Sequence, residues 1–304
     1  VDGILAADAH APLRAEGLAA PIPLYRALTT RRRRGRRRAG HELTPFVGRE
    51  PQLKLLESHL ARASDVEGQL VLVSGEPGIG KSRLIEQLRS RLQHTPHRWI
   101  ACSGAALFAN TPFHALVELL EEGFELGGLD APQRATLLER ALDEAGLRLD
   151  EAVPLIADVL NLPIPRRFPR LMFAPDQRRK RLFGAVLGWI FSTARERPLI
   201  LVIEDLQWVD PSTLELLQTL AEQLASARLL LLCTARPGFQ PPWAANARHS
   251  DIALDRLDLG QTRELVANRL GSEALPPGAL DALVQRSDGI PLFAEELTRA
   301  ALAR

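Results

Sequence analysis

The sequence contains 304 residues, 46% of them hydrophobic, and carries a formal net charge of +1. This length and composition suffice for a packed globular core, and the longest apolar runs fall far short of the ~20 residues that a membrane span needs. We therefore expect no membrane contact. The cysteines Cys102 and Cys233 lie in apolar stretches typical of buried strands, a pattern that indicates a cytoplasmic protein. Because the chain opens at Val1 with no leader pattern, we expect it to be a piece of a longer protein.

The N-terminal region combines a strand pattern with a run of arginines. Residues 21–28 predict a short edge strand with prolines at its start, and we assign residues 1–28 to the tail of an upstream domain. Seven arginines follow between Arg31 and Arg38, so the rest of the chain carries +1 − 7 = −6. An arginine run without interleaved aromatic residues favours a solvated linker, residues 29–42, over a polyanion-binding patch. We therefore expect no direct contact with nucleic acid.

Residues 43–257 predict an α/β core. Continuous apolar runs at residues 199–203 and 229–235 are typical of strands buried on both faces of a parallel sheet. Helical patterns alternate with the strands, which predicts a parallel sheet flanked by helices, and residues 258–304 predict a C-terminal helical subdomain. The predicted strands cover residues 69–74, 98–102, 199–203 and 229–235; the predicted helices cover residues 81–92, 113–121, 135–145, 151–160, 176–197, 261–270, 277–286 and 291–303, with one more that opens at Asp210.

A phosphate-binding motif joins the first core strand to its helix. The pattern G-x-x-x-x-G-K-S is matched in full by Gly75, Glu76, Pro77, Gly78, Ile79, Gly80, Lys81 and Ser82, and Arg83 follows it as a further candidate nucleotide-binding residue. The glycines let successive N–H groups form an anion nest at the N-terminus of a helix. Lys81 offers an ammonium group to the β and γ phosphates, and the Ser82 hydroxyl offers a ligand to magnesium. The alternative is a chance glycine turn. The motif predicts a P-loop NTPase fold that binds a nucleotide and Mg²⁺.

Two adjacent acids follow the buried strand at residues 199–203. Glu204 and Asp205 therefore lie at the carboxyl end of the sheet, where open α/β sheets bind their ligands. Since side chains alternate along a strand, we expect one acid to face the P-loop while its neighbour points elsewhere. One would hold magnesium and the other would orient or deprotonate the attacking water, and the sequence does not assign the roles. The alternative is a loop that only caps the next helix.

Arg236 follows the last predicted core strand and should emerge at the same sheet edge, where a guanidinium can sense the γ-phosphate. A surface arginine at the start of a loop is the alternative.

On spacing alone, Gly289-Ile290-Pro291 is an ordinary turn between two helices, with glycine after one helix and proline at the start of the next. Trp208 fits a core or interface aromatic residue, and His114 fits packing or capping better than catalysis.

Together these segments resemble the STAND branch of the AAA-like P-loop ATPases, in its origin-recognition-like subfamily. The resemblance rests on residues 45–50, the P-loop, residues 201–213, residues 234–237 and residues 289–297. It implies that ATP is the nucleotide, that Val47, Gly48 and Arg49 lie by the adenine, that Arg236 is a sensor, and that Pro291 reaches the nucleotide from the helical subdomain. Two departures stand out: Gln207 replaces a common histidine, and Glu204 occupies a position where many relatives carry aspartate.

The segment at residues 18–28 resembles the closing strand of class III nucleotide cyclase domains. That resemblance implies a parent protein with a cyclase upstream and helical tetratricopeptide-type repeats downstream as neighbouring partners. No cyclase catalytic residue is expected within this chain.

The preferred functional interpretation is a regulatory switch in a multidomain signalling protein. ATP binding and slow hydrolysis would change how the helical subdomain lies on the sheet, and any oligomer would depend on nucleotide. The alternatives are a remodelling ATPase that needs an arginine finger in trans, the ATPase module of a LuxR-type DNA-binding transcriptional regulator, and a scaffold that binds no nucleotide.

Overall fold

The computed structural model describes residues 5–13, 22–30, 45–169, 171–244, 247–271 and 278–302. The chain divides into two units, Val1–Pro45 and Phe46–Arg304. Within the described ranges, no helix is both long enough and apolar enough to cross a membrane.

The N-terminal unit contains a two-stranded antiparallel sheet. Strand β1 covers Leu5–Leu13 and β2 covers Ile22–Thr30, and the register shifts twice along the pair. The strand expected at residues 21–28 corresponds to β2, which continues two residues into the expected linker, whereas β1 was not predicted. The arginine run at residues 31–38 lies outside the described residues.

The second unit is built on a five-stranded sheet in which every neighbouring pair is parallel. Its strand order is β4-β5-β6-β3-β7, with the P-loop strand β3 between β6 and β7. This sheet, covered by helices, confirms the predicted P-loop NTPase architecture. The strands are β3 (Gln69–Gly75), β4 (Arg98–Ser103), β5 (Leu199–Glu204), β6 (Leu229–Ala235) and β7 (His249–Leu254).

Helices cover both faces of the sheet, which explains the continuous apolar runs. Along β5, Leu199, Leu201 and Ile203 join one buried cluster, while Ile200 and Val202 join another on the opposite face. The helices are α1 (Glu50–Ser64), α2 (Lys81–Arg91), α3 (His114–Gly123), α4 (Ala131–Glu144), α5 (Leu149–Val159), α6 (Pro175–Glu196), α7 (Pro211–Gln223), α8 (Leu259–Leu270), α9 (Ala279–Ser287) and α10 (Pro291–Leu302).

The last three helices form the predicted helical subdomain around a cluster of their own. Leu265, Val284 and Ala294 contribute one buried residue from each of α8, α9 and α10. Val47, which precedes α1 in the chain, is buried in the same cluster. The segment before α1 therefore packs with the subdomain, although more than 200 residues separate it in sequence from these partners.

Both cysteines are buried and free, as their apolar surroundings indicated. Burial raises the pKa of the Cys102 and Cys233 thiols, because the charged thiolate loses its hydration. They pack as small hydrophobic side chains in one of the two core clusters.

Two elements of the core were absent from the sequence expectations. Helix α1 begins with a proline in its first turn and buries one stripe that includes Leu53, Leu56 and Leu60. Strand β7 lies at the sheet edge, where Ile252 and Leu254 are buried and Ala253 between them is exposed. An edge strand of this kind lacks the continuous apolar run that marked β5 and β6.

Candidate functional site

The P-loop runs from the carboxyl end of β3 into the first turn of α2. Gly78 and Gly80 have left-handed backbones, with φ of +80° and +106°, conformations that L side chains rarely adopt. Ile79 between them is buried and secures the loop to the core, while Pro77 is exposed at its tip. A Cβ on Gly75 would lie 2.8 Å from the Ile79 Cγ2 atom. The loop is thus a tight turn with its backbone wrapped around the start of a helix.

Lys81 begins α2 and keeps its ammonium group inside the loop. Its Nζ donates to the carbonyl oxygen of Gly75 at 2.7 Å and to that of Glu76 at 3.1 Å, and the residue is only 8% exposed. A buried cation beside a nest of backbone N–H groups is suited to phosphate binding.

Ser82 connects the P-loop helix to the end of β5. Its hydroxyl donates a hydrogen bond to the Glu204 Oε2 atom. Two oxygen ligands of the kind that Mg²⁺ prefers therefore meet beside the phosphate-binding turn. Mg²⁺ usually takes only one or two carboxylates from a protein and completes its shell with water and phosphate, so this pair fits the ion. Within the described residues, no three or more His, Cys, Asp and Glu side chains are grouped to hold a metal.

Asp205 lies next to Glu204 but contacts different partners. Its backbone is left-handed, with φ of +57°. Its N–H donates to the Thr234 Oγ1 atom at 2.9 Å, and its Oδ1 accepts from the Gln207 Nε2 atom at 3.2 Å. The first acid thus faces Ser82, while the second is attached to the carboxyl end of β6 and to the loop after β5.

Arg236 emerges from β6 at the same edge of the sheet. Its guanidinium lies over the Trp208 ring, 5.2 Å from the centroid, and its backbone N–H donates to the Gln207 Oε1 atom at 3.1 Å. The structure therefore joins Ser82 to Glu204 next to Lys81 in α2, and it places the exposed Arg236 side chain on the Trp208 ring after the carboxyl end of β6.

The segment before α1 lies between the sheet and the helical subdomain. Gly48 has φ of +74°, and a Cβ there would come within 2.8 Å of the Gln261 side chain. Arg49 is 6% exposed and its guanidinium donates to the Asp255 carbonyl oxygen. Burial lowers the pKa of Arg49, and the nearby Asp255 partly opposes this. With Val47 in the subdomain cluster, the segment is anchored on both sides.

Pro291 opens α10 directly beside the P-loop. The N–H of Leu292 donates to the Gly78 carbonyl oxygen at 3.2 Å. The preceding turn is fixed by Gly289, whose carbonyl accepts from the Leu257 N–H at 2.8 Å. Arg83 in α2 is half-buried, which lowers its pKa, while the charge of Glu295 in α10 acts in the opposite direction. The helical subdomain and the nucleotide loop thus share a contact surface.

Arg256, in the linker between β7 and α8, joins the P-loop to the helical subdomain at this contact surface. The sequence did not predict this role. Its guanidinium pairs with Glu76 of the P-loop, with Nε 3.2 Å from Oε2, and also with Asp288 of the α9–α10 turn. Hydrogen bonds to both carboxylates raise the pKa of Arg256. An isolated arginine in an arginine-rich chain gives no sequence signal for this contact.

Comparison with known proteins agrees with this architecture. The family model described as "AAA ATPase domain" matches residues 45–232, which is more than half of the chain. The uncharacterized protein R02095 of Rhizobium meliloti is 28% identical over 93% of this chain. Adenylate cyclase type 10 of Rattus norvegicus is 26% identical over 76% of this chain. The chain spans only 28% and 15% of the lengths of these two relatives.

A solved structure resembles the fold as well. Cdc6p from Pyrobaculum aerophilum superposes with a TM-score of 0.52 at 16% sequence identity, over 87% of this chain and 64% of that one. At this level of identity the likeness concerns the arrangement of the sheet and its helices.

Proposed function

The chain belongs to the AAA ATPase domain family, and from this premise we propose that it is an ATP-binding, slowly hydrolysing regulatory switch of a multidomain signalling protein. One observation carries the proposal above the others. The phosphate-binding loop is hydrogen-bonded to the helical subdomain, from the Leu292 N–H to the Gly78 carbonyl oxygen. A nucleotide that moves this loop therefore acts directly on the subdomain.

The P-loop residues hold the ATP phosphates in this proposal. The backbone N–H groups from Gly75 to Ser82 and the Lys81 ammonium bind the phosphate oxygens. When bound, Mg²⁺ would be held by the Ser82 hydroxyl and the Glu204 carboxylate, and it would neutralise charge on the phosphates. The adenine side of the site is bordered by Val47, Gly48 and Arg49, where this segment contacts the helical subdomain.

The contact between Ser82 and Glu204 supports different roles for the two acids. Glu204 binds the metal, and Asp205 orients and deprotonates the attacking water. The Arg236 guanidinium moves from the Trp208 ring to the γ-phosphate, because the residue directly follows β6 at the ligand edge of the sheet. Arg236 and the contact surface around Pro291 then differ between the ATP and ADP states, as a switch requires.

A multidomain parent is supported by the proteins that resemble this chain. One of them is named adenylate cyclase type 10, and the chain matches a minor part of its length. We propose a cytoplasmic parent with a cyclase domain upstream, to which the β1–β2 unit belongs, and helical repeats downstream. Any self-association of the switch is expected to follow the nucleotide state.

Single-turnover hydrolysis with matched acid variants tests this proposal. Asp205→Asn should still bind ATP and should lose at least ~100-fold in hydrolysis rate, the range of a lost general base. Glu204→Gln should weaken Mg²⁺-dependent binding itself. Asp251→Asn, on the exposed part of edge strand β7, is the control and should behave like wild type. Fast multiple turnover that rises with protein concentration would contradict the switch in favour of a remodelling ATPase.

A further inference from the structure

Gln207 occupies a position between two groups that the proposed mechanism uses. It lies in the single helical turn Leu206–Trp208 after β5. Its Nε2 donates to the Asp205 Oδ1 atom at 3.2 Å, and its Oε1 accepts from the Arg236 N–H at 3.1 Å. One side-chain amide therefore joins the second acid of β5 to the residue that leaves β6.

The chemistry of the partners fixes which way this amide faces. A backbone N–H can only donate, so the carbonyl end of Gln207 must face Arg236. The amino end is then left for the Asp205 carboxylate, which can only accept when it is ionised. A leucine at position 207 would make neither bond, and a glutamate would set a second carboxylate against Asp205. The position is thus specific for an amide among side chains of this length.

The backbone around Asp205 is held to β6 by a second bond. The Asp205 N–H donates to the hydroxyl of Thr234, which is almost completely buried and cannot easily move. Asp205 adopts a left-handed backbone, which an aspartate tolerates at some cost. Two hydrogen bonds to the end of β6, one from the main chain and one through Gln207, therefore set where this carboxylate points.

We propose that Gln207 is a positioning residue that sets the Asp205 carboxylate according to the position of the Arg236 backbone. A shift of Arg236 toward the γ-phosphate is then passed through the amide to the acid that acts on water. The inference rests on the proposed function and adds to it a link between phosphate sensing and hydrolysis.

The test compares Gln207→Leu and Gln207→Glu in ATP binding and in single-turnover hydrolysis. Gln207→Leu should bind ATP within about two-fold of wild type and hydrolyse it at least ~10-fold more slowly, a fraction of the effect of losing the base. Gln207→Glu keeps the length of the side chain but sets a second carboxylate against Asp205, so it should also bind ATP and hydrolyse it at least ~10-fold more slowly. A merely structural glutamine would instead lower ATP binding and hydrolysis together.

Gln218→Leu is the matched control, since the Gln218 amide donates an exposed hydrogen bond to Glu222 on α7, away from Asp205 and Arg236 in the sequence. Wild-type hydrolysis rates in both Gln207 variants, with Asp205→Asn inactive, would overturn the inference and leave the proposed function intact. If Asp205→Asn hydrolyses ATP at the wild-type rate, the inference fails together with the role given to Asp205. A wild-type protein that binds no ATP defeats the proposed function itself.

Discussion

The backbone N–H of Leu292 donates a hydrogen bond to the carbonyl oxygen of Gly78, with 3.2 Å between the two atoms. This bond places the first turn of α10 on the P-loop. The approach is close, because a Cβ on Gly78 would lie 2.9 Å from the Leu292 Cβ. The glycine at the centre of the phosphate-binding motif therefore serves the docking of the subdomain as well as the shape of the loop.

Arg256 should control how firmly the helical subdomain docks. Arg256→Ala removes the ion pairs with Glu76 and Asp288. Exposed ion pairs contribute little to global stability, so the melting temperature should change little. Hydrogen exchange of α8–α10 should instead become faster, and its dependence on ATP should diminish. Arg263→Ala is the control, because Arg263 pairs with Asp281 inside the subdomain. Equal exchange in the two variants would contradict the assigned role.

A side chain at Gly289 should destabilise the protein, for reasons of both conformation and space. Its φ is +69°, and a Cβ would meet the Leu257 carbonyl oxygen at 2.4 Å. Gly146 has the same φ but nothing near its Cβ position. Gly146→Ala should cost about 1 kcal/mol from the left-handed backbone alone. Gly289→Ala should cost about 2 kcal/mol more in denaturant unfolding, because the backbone must also shift. Similar losses in the two variants would show that the contact with Leu257 is dispensable.

Asp210 should be among the most important polar groups for stability. It is 1% exposed, and its carboxylate accepts from the Thr213 hydroxyl and from the N–H groups of Phe113, Ala115 and Thr213. Asp210→Ala leaves several buried donors unsatisfied and should lower the free energy of unfolding by about 3–5 kcal/mol. Asp258→Ala removes the more exposed cap of α8 and should cost only about 1 kcal/mol. A loss near the Asp258 value would show that these four hydrogen bonds contribute little to stability.

Local signals predicted most of the core correctly. The apolar runs indicated β5 and β6 because both faces of those strands are covered. Helix α4 starts at Ala131, four residues earlier than residue 135, because the Asp130 side chain and Gln133 form a capping box there. That signal was present in the sequence and overlooked. Strand β7 was missed for a different reason, since pairing with β3 rather than its own composition makes it a strand.

The candidate site also contains residues that the sequence predicted and residues that it did not. The P-loop and the pair Glu204-Asp205 could be read from spacing and from their place after strands. The contacts of Arg256 and Gln207 could not, because each joins segments that only the folded sheet brings together. The sequence marked Gln207 as a departure from related proteins without indicating its two partners.

The most direct test of the account is Mg²⁺-dependent ATP binding by wild type, Lys81→Ala and Lys54→Ala in one titration. Lys81 lies within the P-loop, whereas Lys54 is an exposed lysine on α1 and serves as the charge-matched control. The account predicts saturable binding by wild type and by Lys54→Ala, with binding lost in a folded Lys81→Ala protein. Equal binding by all three proteins, or none by a folded wild type, would contradict it.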